Sequence, residues 1–383
     1  MVAHQGSSTR IVVQIDTQQL PSAGIRGLSP SAARPLPRRS PRCHDRRRRT
    51  HVPLTTGEGH QIFVDALLHI CEESRDPRLT SIIRRLRAPT RVAVHGRDGV
   101  GRATVTAALG SAGVEVTPDG GAEVDVLVIA EALKPEDRAF LDRSDRPTVV
   151  VLNKADLSGF GAAGPMAHAF HRAARCRALT GLPTVPMVAL LADVDLTGDL
   201  RDALRTLLTA PADVSSTDAF VHAPHPLPRE VRERLLGALD RFGIAHAVLA
   251  LDRGASLETL PNHLRKLSQL DRVVGHIHAA GAPLRYRRLR SALTQLRALA
   301  TQSGDSRLAE LVVGDDAVLT AMAAAVDVVE AAGARVDRGD DADSHLRRAV
   351  HWRRYANGPV NALHRACAAD ISRGSLRLLE RSR

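Results

Sequence analysis

Asn153-Lys154-Ala155-Asp156 closes an apolar run, Thr148-Val149-Val150-Val151-Leu152. Its side chains are those needed to read the edge of a purine. A carboxylate at Asp156 can only accept when ionised. It can take the ring N–H and the exocyclic amine that guanine presents side by side and adenine does not. The Asn153 amide can bond the acceptor edge of the base or tie neighbouring loops together. The stem of Lys154 can lie over the ring face. The chain holds 3 lysines (Lys134, Lys154 and Lys266) against 50 arginines. A lysine kept here fits a need for that side chain.

Upstream lies a second group with chemical meaning, Gly96-Arg97-Asp98-Gly99-Val100-Gly101-Arg102-Ala103-Thr104. A loop of the form Gly-x4-Gly-Lys-Ser/Thr wraps phosphate with main-chain N–H groups at a helix start. Here Gly96, Gly99, Val100 and Gly101 supply the loop. Arg102 stands where the lysine belongs, and Ala103 where the magnesium-binding hydroxyl belongs. Thr104 comes one residue late, about 100° round the helix. The same glycines could open a dinucleotide loop, Gly-x-Gly-x-x-Gly. Thr104 then occupies the place of the third glycine, with Glu115 and Asp119 as ribose-binding acids.

These residues need elements to carry them. Ile62, Ala66, Leu67 and Ile70 fall on one helical stripe, and Leu79, Ile82, Ile83 and Leu86 on another. From Arg91 the pattern becomes alternating strands and helices. Strands are expected at 91–95, 114–117, 124–129, 148–152 and 185–190. Helices are expected at 103–112, 135–141, 166–179 and 200–208. Apolar strands without alternation imply a mostly parallel sheet covered on both faces. Residues 211–228, with Pro211, Pro224, Pro226 and Pro228, read as a linker, and 229–383 as a helical domain. The expected organisation is an arm over 1–57, a helical lead-in over 58–87 and an α/β domain over 88–210, then linker and helices.

The 383 residues carry a net charge of +11. Residues 1–60 contribute +7, so the rest of the chain has an ordinary balance. Eight arginines between Arg34 and Arg49 could meet anionic lipid or nucleic acid, or simply be a solvated tail. The arm's Ser, Pro, Gly and Arg content points to disorder. Heavy arginine and alanine usage looks like a GC-rich bacterial coding bias. Four cysteines, none in a Cys-x-x-Cys pair, suggest neither zinc nor a disulfide framework. No apolar run approaches membrane-spanning length and no signal pattern opens the chain. A cytoplasmic location is expected, with the arm able to hold the protein at the inner membrane surface.

Residues 88–210 resemble the P-loop GTPase superfamily through the Gly96–Thr104 loop, the Asp125-Val126-Leu127-Val128-Ile129 strand and the Asn153–Asp156 tetrapeptide. The segment Thr180–Leu190 looks like the closing strand of such domains, where a Ser-Ala pair flanks the base. Here only Ala189 matches. No Asp-x-x-Gly lies between 104 and 150, and Gly96 and Asn153 are closer together in sequence than in typical members. The resemblance implies a P-loop NTPase-like sheet followed by an all-α region, and GTP or GDP as ligand with Mg2+ as companion. Gly96, Gly99, Val100, Gly101, Arg102 and Thr104 would meet phosphate; Asn153, Lys154, Asp156 and Ala189 would meet guanine. It implies weak or absent GTP hydrolysis. A pseudo-GTPase scaffold that binds a protein partner through its helices is the other reading. The helical half is similar, without a specific motif, to bacterial dynamin-like large GTPases.

Other groupings favour packing. His276-Ile277-His278 lacks a third ligand at metal spacing. Arg285 to Arg290 shares its helix with a leucine stripe. Trp352 and Tyr355 suit a core, and the acidic cluster 337–343 reads as a loop.

Overall fold

The structure is a computed structural model that describes residues 56–159 and 163–382. Nearly all of the Arg-rich arm lies outside them. Two helices come first, α1 (Thr56–Ser74) and α2 (Pro77–Arg87). The Asp76 carboxylate accepts from Arg78 N at 2.8 Å and Pro77 takes the first helical position, a start that satisfies one orphan donor and needs no N–H at the other. The apolar stripe Leu79, Ile82, Ile83 and Leu86 is buried.

The α/β region follows as β1 (Arg91–His95), α3 (Arg102–Ser111), β2 (Glu115–Val116), β3 (Val124–Ala130), α4 (Pro135–Arg143), β4 (Thr148–Asn153), α5 (Gly164–Thr180), β5 (Thr184–Pro186) and α6 (Gly198–Thr209). The strands form one sheet in the order β2-β1-β3-β4-β5, every pair parallel. This is the expected mostly parallel sheet with flanking helices, compatible with a P-loop-like α/β fold. Every residue of β4 and all but the last of β3 are buried, which is why neither strand alternates in sequence.

The closing strand is shorter than expected. It ends at Pro186, and Ala189–Leu191 form a 3-10 turn. Met187 N still reaches Leu152 O at 2.8 Å, but Val188 N turns away to Ser268 O. The strand expected at 114–117 is likewise reduced to the two residues of β2.

Eight more helices follow among the described residues: α7 (Thr217–His222), α8 (Arg229–Asp252), α9 (Leu260–Ser268), α10 (Leu270–Ser303), α11 (Ser306–Val313), α12 (Asp315–Ala331), α13 (Ala342–Ala356) and α14 (Ala362–Arg381). The proline-rich 211–228 stretch therefore contains a helix. Ser216 Oγ accepts from Ala219 N at 2.9 Å to cap α7, and Phe220 is fully buried. α12 is buried nearly all round, as a helix apolar on every face must be, and it packs against α10 and α14.

The helices beyond the prolines also cover the sheet. One core joins Val92, Val126, Val128, Val149 and Val151 to α3 and to Leu270, Val273 and Ile277 of α10. The other joins Leu127, Ile129, Val150 and Leu152 to α5 and α6 and to Leu235, Leu239 and Ile244 of α8. Each such buried side chain contributes about 1.5–3 kcal/mol. The described residues make one compact unit.

Candidate functional site

The strand order places a topological switch point between β1 and β3. α3 packs on one face of the sheet, while α4 and α5 pack on the other. The chain leaves β1 and β3 at their carboxyl ends toward opposite faces, and open α/β sheets bind ligands at such a divergence. The loop after β1 is the glycine run that begins at Gly96. Gly96 has φ 148°, and a Cβ there would lie 2.5 Å from Val128 O of β3. Gly101 has φ 89° and precedes α3. A Cβ there would lie 2.4 Å from Asn153 Nδ2. Both positions need glycine, one for close approach and one for close approach plus a left-handed backbone.

No side chain caps α3. Its first intrahelical bond is Val105 N to Gly101 O, so Arg102, Ala103 and Thr104 open the helix with N–H groups that have no intrahelical acceptor. The partial positive charge of that end favours an anion. By contrast, α4 is closed by its own Asp137, whose carboxylate accepts from Lys134 N at 2.9 Å.

Asn153 ends β4 and is 4% exposed. Its Nδ2 donates to Val100 O at 3.0 Å, and its Oδ1 accepts from Ala189 N at 3.1 Å. Of the two roles open to this amide in the sequence, loop-tying is the one made here. One side chain thus joins the glycine loop, the tetrapeptide and the closing loop. Ala155 N adds a bond to Met187 O at 3.1 Å.

Lys154 is exposed and left-handed, φ 56°. A non-glycine residue in that region stores strain of about 1–3 kcal/mol. Asp156 is half-buried in the following 3-10 turn. Burial raises its carboxyl above the usual aspartate range; the charge of Asp240 adds to this and Lys154 opposes it. Asp240 itself breaks α8 with φ 54° and ψ 173°, and α8 packs against the 3-10 turn that begins at Ala189.

The structure therefore joins Val100, Gly101, Asn153 and Ala189 by direct contact or bond. Arg102 and Thr104 are exposed. Arg102 pairs with Asp98 at 3.0 Å. The residues do not fit a magnesium ion held in the P-loop manner. Ala103 has no oxygen to offer, and Thr104 sits one helical step away. Arg97 and Asp137, absent from the sequence-derived set, join the loop after β1 to α4: Arg97 Nε donates to both Asp137 oxygens at 3.2 and 3.3 Å. They are 40 residues apart, and no local pattern announces the pair.

A cavity of about 730 Å³ lies at the opposite edge of the sheet, lined by His60, Thr90, Glu115, His278, Arg285 and Asp327 among others. It gathers side chains of both charge signs and no helix start. Comparison with protein-family models and with curated proteins finds no match to this chain. Among the described residues no helix is long and apolar enough to cross a membrane.

Proposed function

We propose that the carboxyl end of the sheet binds a guanine nucleotide, with phosphates on the loop from Gly96 to Arg102 and the base against Asp156. The observation that carries the reading is the double bond-making of Asn153. It fastens the glycine loop at Val100 to the closing loop at Ala189, so an anion-favouring helix start and a base-reading carboxylate share one frame. The uncapped opening of α3 suits phosphate. A half-buried carboxylate with a raised pKa is the sort of group that collects at functional sites, and the strained Lys154 backbone is a second such sign.

Hydrolysis is not part of the proposal. Phosphoryl transfer depends on placed cations and a positioned nucleophile, and the hydroxyl that would hold magnesium is replaced by Ala103. GTP and GDP are therefore ligands in this reading. A role as an interaction scaffold through the helices is the outcome left if neither binds.

A thermal-shift panel with GDP, GTP, ATP and NAD, with and without magnesium, tests the reading. A ligand that binds only the folded state raises the midpoint by mass action. GDP and GTP should shift the wild type, ATP and NAD should not, and Asp156→Ala should abolish the guanine preference. A folded protein indifferent to all four, or one that prefers NAD, would refute it.

A further inference from the structure

Sequence spacing puts Arg102 where a phosphate-neutralising cation belongs. The structure engages Arg102 elsewhere: its side chain pairs with the fully exposed Asp98 on the solvent side of the loop. Arg97 is held in a different way. It directly follows Gly96, at the carboxyl end of β1, and is half-buried. Its partner Asp137 is 2% exposed and is itself fixed by accepting from Lys134 N at the start of α4.

The mode of contact matters. Among the described residues only Nε of Arg97 is bonded, and it is shared between the two Asp137 oxygens. Among the described residues the two terminal nitrogens have no protein acceptor. A buried carboxylate thus fixes the guanidinium plane and leaves its outer N–H donors unspent. Such a fork matches two phosphate oxygens, as a lysine ammonium cannot. The position matches as well. Arg97 and Asp137 span the gap between the loop after β1 and the helix after β3, at the divergence of the doubly wound sheet.

We propose that Arg97, oriented by Asp137, binds the outermost phosphate of a nucleoside diphosphate or triphosphate, in the role that sequence spacing gives to Arg102. The proposal rests on the guanine-nucleotide reading above. It assigns the charge compensation to a residue on the opposite side of the loop from the helix start. Asp137 is a positioning residue that acts through Arg97.

Equilibrium titration of the full chain with GMP, GDP and GTP, at low and high salt, separates the possibilities. Wild type should prefer GDP to GMP. In Arg97→Gln that preference should fall by about tenfold, the size expected when a charge-assisted hydrogen bond is lost, while GMP affinity stays unchanged. The GDP salt dependence should weaken in the same variant. Arg102→Gln keeps the main-chain N–H of residue 102 at the helix start and removes only a side chain already paired with Asp98, so it should change the GDP-to-GMP ratio less than about threefold, as for an exposed ion pair. Asp137→Asn should lower GDP affinity with GMP affinity retained. Because that change also weakens the start of α4, Arg97→Lys serves as a control that leaves the cap in place, and it should restore only part of the preference. A ratio unchanged in Arg97→Gln, or one lost in Arg102→Gln alone, overturns the proposal and leaves the guanine reading standing. No guanine nucleotide bound by folded wild type overturns both.

Discussion

Asn153 shows how one buried amide can organise three loops. Removing it leaves Val100 O and Ala189 N without their partners, and an unsatisfied buried polar group costs about 1–3 kcal/mol. Asn153→Ala should therefore lower the unfolding free energy by about 1–3 kcal/mol, read as a lower denaturant midpoint with an unchanged slope, and an unaltered midpoint would deny the bridge. Asp156 has the opposite effect on stability. Burial raises its folded-state pKa above the unfolded value, so the folded state holds its proton to higher pH. Stability from this group then falls as pH climbs from the unfolded value, about 3.9, through the raised folded value, and stays reduced above it. Asp156→Asn should accordingly stabilise the ligand-free protein at neutral pH. The gain should vanish in acid, below the ordinary aspartate range. Thermal unfolding across pH measures this; a gain equal at all pH values would point to packing instead. The tetrapeptide and the glycines were legible in the sequence because each residue's chemistry is local. The choice between the two roles of the Asn153 amide was not, since it depends on partners 53 and 36 residues away.

At the scale of elements, the strands were read from apolar runs and the helices from periodicity, and most survive with small shifts at their ends. The failures have physical causes. β5 stops where Val188 N bonds to Ser268 O at the end of α9 instead of to β4. α7 has six residues, too few for a period, and is held by one cap and by buried Phe220 and Val221. Glycines offer a test at this scale. Gly101→Ala meets both a left-handed φ and the Asn153 amide 2.4 Å away, so it should destabilise by more than 1 kcal/mol, roughly the size of backbone strain at such sites. Gly237, inside α8 with open space around it, should behave in the opposite sense. Alanine there should stabilise by about 0.5–1 kcal/mol, the helix-interior difference between the two residues. Chemical denaturation of both variants checks the contrast, and equal effects would mean that the Gly101 geometry is wrong.

For the whole molecule, composition and charge separated the Arg-rich arm from the rest but could not foretell how the helical half is used. Leu270, Val273 and Ile277 share one face of α10, and nothing in their spacing says that the partner is a sheet face made by residues 92–187. A chain ending at residue 228 would strip α10 from one face and α8 from the other. Exposed apolar faces of that kind cannot be left to water. The fragment 56–228 should therefore lack a cooperative thermal transition, while the full chain should unfold in one step. A fragment that melts cooperatively would show that the sheet supports itself. The same packing gives the proposed base site its setting, because the turn beginning at Ala189 is pressed between α3, α8 and α9. The most direct test of that site compares GDP with inosine diphosphate, which lacks only the exocyclic amine, by calorimetric titration of wild type and Asp156→Ala. Wild type should favour GDP by about tenfold, one charge-assisted hydrogen bond, and the variant should bind both equally. Equal affinity of wild type for the two nucleotides would contradict it.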